Sequence, residues 1–134
     1  MPDRPDNTED NIDWRRRLTP EQYHVLREGG TERPFTGRYC DETRQGVYHC
    51  AGCDAELFTS EHKFHSGCGW PAFSDARDVQ ALLALQDTSH GMVRTEIRCR
   101  SCDGHLGHVF RDGPPPTYIR YCINSVALRL ESRD

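Results

Sequence analysis

Met92-Val93-Arg94-Thr95-Glu96-Ile97-Arg98-Cys99 alternates with a period of two, which sets Val93, Thr95, Ile97 and Cys99 on one face of an extended chain and Arg94, Glu96 and Arg98 on the other. This predicts a strand with one apolar and one charged face. It ends on the first thiol of Cys99-Arg100-Ser101-Cys102, and an earlier run, Gly46-Val47-Tyr48-His49-Cys50, leads in the same way into Cys50-Ala51-Gly52-Cys53. Thiols two residues apart on one turn reach the same tetrahedral ion, so the two pairs are read as a structural zinc site of Cys50, Cys53, Cys99 and Cys102. Four thiolates leave no position for water, which argues against metal-assisted hydrolysis. The 45 residues between the pairs exceed the ~15–20 of an ordinary zinc ribbon, so the ion would join distant strands. His105 also stands at ligand spacing from Cys102 and competes for one place in the set. A thioredoxin-like redox role or an iron site is the rival reading, but neither pair opens a helix within a strand-helix-strand pattern.

Around these runs, Gly, Asp and Pro clusters punctuate short segments such as Glu56-Leu57-Phe58, and Val126, Leu128 and Leu130 repeat the alternation near the end. The fold class is mainly β. Residues 79–86 favour helix by propensity but are bounded like a strand, and Pro114, Pro115 and Pro116 form a loop. Upstream, Thr19-Pro20-Glu21-Gln22 supplies an N-cap, a proline at the first helical position and a capping-box Gln, with Gly29 and Gly30 as the stop and Tyr23 and Leu26 as the buried stripe. Residues 1–17 are polar and charged and are read as a flexible leader, 18–131 as one domain, and 132–134 as a tail.

The chain has 134 residues, enough for one core, and its 17 Lys+Arg against 21 Asp+Glu give a net charge of −4. That charge disfavours a nucleic-acid partner. Its longest apolar stretch, Ala81 to Leu85, is far below the ~20 residues of a membrane span, and no secretory signal pattern opens the sequence, so a cytoplasmic monomer is expected. In a reducing compartment seven cysteines point to metal or redox chemistry rather than to a disulfide framework. Beyond the two pairs stand Cys40, Cys68 and Cys122. Cys122 follows Arg120-Tyr121 and precedes Ile123-Asn124, surroundings that can hold a reactive thiolate. Cys68, in Ser66-Gly67-Cys68-Gly69-Trp70-Pro71, sits on a glycine-rich loop whose mobility suits a resolving thiol. His105 and His108 are three apart and would face opposite sides of a regular strand, so meeting one thiol requires an irregular turn.

These stretches resemble a known family, the B-type methionine sulfoxide reductases, enzymes that reduce the R epimer of methionine sulfoxide. The resemblance rests on Ser66-Gly67-Cys68-Gly69-Trp70-Pro71-Ala72-Phe73, on Asp87-Thr88-Ser89-His90-Gly91-Met92-Val93-Arg94-Thr95-Glu96, on His105-Leu106-Gly107-His108-Val109-Phe110, on Asp112-Gly113-Pro114, on Arg120-Tyr121-Cys122-Ile123-Asn124-Ser125 and on both cysteine pairs. It implies two small antiparallel sheets of the β-tent type with short N-terminal helices. It further implies an oxidoreductase in which Cys122 is the nucleophile, passing through a sulfenic acid, and Cys68 resolves it as a disulfide that thioredoxin reduces. His108 would be the acid, with His105 beside it, Asn124 a hydrogen-bond donor near the reacting atoms, and Asp112 the residue orienting a histidine. Trp70 would pack on the substrate's ε-methyl, with Phe110 also in the substrate site, and no organic cofactor is implied. His65 stands where the family has Asp, Tyr118 where it commonly has Gly, and Cys40 where an aromatic residue is frequent; Cys40 is read as a thiol without a redox role. The alternative from another class is a zinc-ribbon module that presents its surface to RNA or protein, and the negative charge and the unexplained Cys68 and His108 motifs count against it.

Overall fold

The alternating stretch becomes β6 (Arg94–Cys99), an inner strand of a six-stranded antiparallel sheet in the order β3-β4-β8-β7-β6-β5, in a computed structural model that describes residues 13–133. Its partners are β3 (Lys63–Phe64), β4 (Ala72–Phe73), β5 (Leu82–Asp87), β7 (His105–Phe110) and β8 (Arg120–Ile123). A three-stranded sheet, β2-β1-β9, is built from β1 (Gly46–Cys50), β2 (Glu56–Thr59) and β9 (Leu128–Ser132). Two antiparallel sheets and few helices are thus the architecture expected from the sequence. The 79–86 ambiguity divides into a 3-10 turn at Val79–Ala81 followed by β5, an edge strand whose burial fades along its length.

The apolar face of β6 is covered only at its C-terminal half: Ile97 and Cys99 are buried, whereas Val93 is 74% exposed. The core lies between the sheets and contains a cluster of aromatic rings. Phe58 of β2 stacks on Phe73 of β4 at 4.5 Å, Tyr48 of β1 meets Phe73 edge-on at 5.1 Å, and Tyr121 of β8 approaches Phe58 at 5.5 Å. Offset and edge-on pairs of this kind add about 0.5–1.5 kcal/mol each beyond the area they bury. Facing inward, Phe73 and Tyr121 leave their strand neighbours Ala72 and Cys122 to the opposite side, and that inversion is what exposes a thiol.

Two short helices, α1 (Trp14–Arg17) and α2 (Pro20–Glu28), close one end. The capping box at Thr19 forms as anticipated, with Gln22 N donating to Thr19 Oγ1 and Thr19 N to Gln22 Oε1, and Gly29 ends α2 in the left-handed region. The buried stripe of α2 is Val25 and Leu26, not Tyr23 and Leu26; Tyr23 packs at the margin under the Arg15 guanidinium. The polar leader read over 1–17 falls outside the described residues up to 12, and its last turn is no leader: Trp14 is 8% exposed and belongs to the core, its indole under Arg27. Ser132, placed in the tail, is instead the last residue of β9.

Candidate active site

On the sheet face away from the core, register alone assembles a cluster. Cys122 of β8 pairs with His108 of β7, and His108 with Glu96 of β6; one step along, Arg120 pairs with Phe110, and Asp87 with Arg94. The charged face of β6 noted in the sequence is therefore the wall of a cavity of about 490 Å³, lined also by Trp70, His105 and Asn124. A larger cavity, about 590 Å³, lies against α2 and residues 31–38 and contains no thiol.

The two histidines reach one side through a β-bulge. Arg98 pairs with His105 and Ile97 with Gly107, so Leu106 is an extra residue in β7 that rotates His105 onto the face of His108. Their rings then meet edge-on at 5.6 Å. Each has a carboxylate: His105 Nδ1 lies 2.6 Å from Glu96 Oε2, and His108 Nε2 lies 2.8 Å from Asp87 Oδ2. Burial opposes ionisation of Glu96, but hydrogen bonds from His105 and Arg98 outweigh it and bring its carboxyl down to about 2. For His108 burial is the largest influence and lowers it, with Arg94 and His105 adding and Asp87 acting the other way.

Cys68 and Cys122 stand with their sulfurs 3.5 Å apart. The loop carrying Cys68 is tied rather than loose: Phe35 N donates to Gly69 O at 2.6 Å, and the Trp70 indole N–H to Glu32 O at 3.1 Å. The sequence surroundings of Cys122 can hold a thiolate, and its buried setting acts the other way. Burial, then the neighbouring Cys68, push the Cys122 thiol up to about 12, and Arg120 only partly offsets them. At Cys68 burial acts upward too, but Ser66, Cys122 and Arg120 together bring it below its ordinary value.

Asp112 does not orient a histidine. It receives two hydrogen bonds, 2.8 and 3.1 Å, from Arg120, whose guanidinium also lies 4.4 Å over the Phe110 ring, so its effect on the thiols runs through Arg120. The carboxylates that do hold the imidazoles, Asp87 and Glu96, escaped sequence reasoning, because only register links them to β7. Asn124 lines the cavity but is buried in structural bonds: its Oδ1 accepts from Thr31 Oγ1 and Glu32 N, and its Nδ2 donates to Leu106 O, bracing the bulge. Tyr118 adopts φ +59°, which explains a glycine preference at that position, and His65 is exposed beside Asp41. At Cys40 burial and then Asp41 raise the thiol, in keeping with an unreactive group.

Elsewhere, Cys50, Cys53, Cys99 and Cys102 bring their sulfurs within 4.8 Å of one another and could hold a metal ion. Sulfurs about 2.3 Å from a central ion stand about 3.8 Å apart in a tetrahedron, and the Cys50–Cys102 and Cys53–Cys99 separations are 3.7 and 3.5 Å. Both knuckles close alike, with Asp54 N bonding Cys50 O and Asp103 N bonding Cys99 O, each Asp in the left-handed region. Hydrogen bonds among the four thiols divide them, drawing Cys53 and Cys99 below the ordinary thiol value and Cys50 and Cys102 above it. His105 is no part of this set; its Nδ1 is held by Glu96.

A cavity lined by one thiol, with a second 3.5 Å from it and two imidazoles beside it, is an arrangement suited to the chemistry of an oxidoreductase. Residues 18–132 match the SelR domain family. The chain is 60% identical to peptide methionine sulfoxide reductase MsrB of Pseudomonas entomophila over 122 residues, 91% of this chain and 93% of that protein. It is 59% identical to the MsrB of Agrobacterium fabrum, over 90% of each chain, and 58% identical to that of Thioalkalivibrio sulfidiphilus, over 94% of this chain and 91% of the relative. The chain belongs to the MsrB family of methionine sulfoxide reductases. No helix among the described residues is long and apolar enough to cross a membrane.

Proposed function

We propose that this oxidoreductase reduces the R epimer of methionine sulfoxide, free or within proteins, by a thiol cycle centred on Cys122, as a cytoplasmic monomer repairing oxidative damage. The observation that carries it is the 3.5 Å separation of Cys68 from Cys122, which lines the cavity that also holds Trp70, Phe110 and the two imidazoles. The Cys122 sulfur attacks the sulfoxide sulfur while the thiol's proton, relayed by His108, goes to the sulfoxide oxygen. Oxygen passes to Cys122, giving a sulfenic acid, and methionine leaves: the sulfoxide gains two electrons and Cys122 loses two. Cys68 then attacks the sulfenic sulfur, forming a disulfide and releasing water, and thioredoxin returns both thiols by exchange. Arg120, fixed by Asp112, stabilises negative charge on either sulfur, and Trp70 with Phe110 packs against the substrate's methyl. Cys50, Cys53, Cys99 and Cys102 would hold a structural zinc ion that joins β1 to β6.

Two variants test the cycle. Cys122→Ser should abolish reduction, whereas Cys68→Ser should release about one methionine per enzyme and then stall. Undiminished thioredoxin-dependent turnover by Cys68→Ser would remove the resolving role, and activity on the S epimer alone would remove the epimer assignment.

A further inference from the structure

Asp87 closes β5 and is itself firmly held. Its Oδ1 accepts from Ser89 N at 2.9 Å, and its Oδ2 accepts from the Arg94 guanidinium at 3.2 Å and faces His108 Nε2 at 2.8 Å. An ionised carboxylate only accepts, so the hydrogen in the last contact belongs to Nε2 and the neutral ring keeps its lone pair on Nδ1. The other titratable or charged groups lining the same cavity are Arg94, Glu96 and Arg98 from β6, His105 on β7 and Cys122 from β8, with Cys68 and Arg120 beside Cys122. Of these, Glu96 and Cys122 stand directly across the ladders from His108, one on each side, and Cys122 is the one that must lose a proton.

We propose that Asp87 is a positioning residue for the reduction: it fixes His108 as the Nε2–H tautomer, so that Nδ1 takes the Cys122 proton and passes it to the sulfoxide oxygen. This rests on the reductase reading and adds a division of labour to it. Glu96 bonds the other ring through Nδ1, so the two imidazoles, 5.6 Å apart, present opposite nitrogens to their carboxylates. Ser89 and then His108 keep the Asp87 carboxyl well below its usual range, and burial, the largest influence on His108, favours its neutral ring.

The test is nuclear magnetic resonance of the full chain with ¹⁵N-labelled histidine, combined with pH profiles of kcat/KM. In the wild type, His108 should carry its proton on Nε2. Asp87→Asn removes the charge that favours imidazolium and offers an amide hydrogen to the ring. It should raise the Nδ1–H population, shift the acid limb of kcat/KM to lower pH and cut turnover at pH 7 at least about tenfold. Asp87→Glu, which restores a carboxylate, should recover the Nε2–H tautomer and part of the rate. A wild-type His108 protonated on Nδ1, or an Asp87→Asn enzyme with unaltered tautomer and pH profile, would overturn the proposal. The wild-type spectrum decides the point even if a variant fails to fold. It also decides the pairing if no sulfoxide reduction is found, an outcome that would sink the reductase reading instead.

Discussion

Gly107 shows how little freedom single positions in this site have. A Cβ there would stand 2.0 Å from the backbone oxygen of Cys122, so a side chain would have to force β7 and β8 apart at the rung beside the His108–Cys122 pair. Gly107→Ala should destabilise the fold by about 1–3 kcal/mol, the usual cost of overpacking. It should also lower turnover more than it lowers the substrate-binding term, since it moves the sulfur relative to the imidazole. Thermal melts and a kcat-against-KM comparison check both. At this scale the sequence marks the candidates for reacting groups and hides the groups that hold them. Cys68 and Cys122 stand out by their flanking residues, Trp70 and His108 only through the family resemblance. The resemblance pairs Asp112 with a histidine, but Arg120, eight residues on, folds back onto it, whereas Asp87 reaches His108 from 21 residues away.

The strands explain why. A period of two marks β6 in any inspection of the chain, but which residues oppose it depends on turn lengths and bulges that leave no comparable trace. Leu106 is a case in point: sequence spacing showed that some irregularity was needed for His105 and His108 to cooperate, and the bulge supplies it. The outer face of β6 also gives the fold an acid-sensitive element. Glu96 is held at about 2 against an ordinary 4.5, so its ionised form stabilises the folded state; that contribution is complete above about pH 4.5 and disappears as the pH falls through 2. Urea midpoints at pH 5 and pH 2.5 should therefore differ more for the wild type than for Glu96→Gln. Equal differences would show that the pair with His105 does not contribute to stability.

Across the whole molecule, the two cysteine knuckles connect the small sheet to the large one over a gap of 45 residues, and both flank strands of the common core. Structural zinc in small domains supplies on the order of 10–16 kcal/mol, against a total stability of about 5–15, so removing the ion should cost most of the fold. The expected result is one zinc per chain by elemental analysis and a melting temperature that drops steeply on chelation, with four additional thiols becoming titratable. Metal-free protein melting like the untreated form would refute the clamp. The aromatic packing of Phe58, Phe73, Tyr48 and Tyr121 could not be deduced from the chain, because it joins residues whose strands are brought together by topology and not by any local pattern.

The short gap between Cys68 and Cys122 also bears on survival under attack. A disulfide is about 2.05 Å long, so sulfurs 3.5 Å apart need to close by only about 1.5 Å. Thiols so placed act on each other at effective concentrations of about 10⁵ M or more, which no dissolved peroxide approaches. On the proposed cycle, an oxidised Cys122 is captured by its neighbour before a second oxidant molecule can carry it to the irreversible sulfinic state. If the cycle runs as proposed, the same contact that ends each turnover also shortens the interval in which Cys122 is open to over-oxidation.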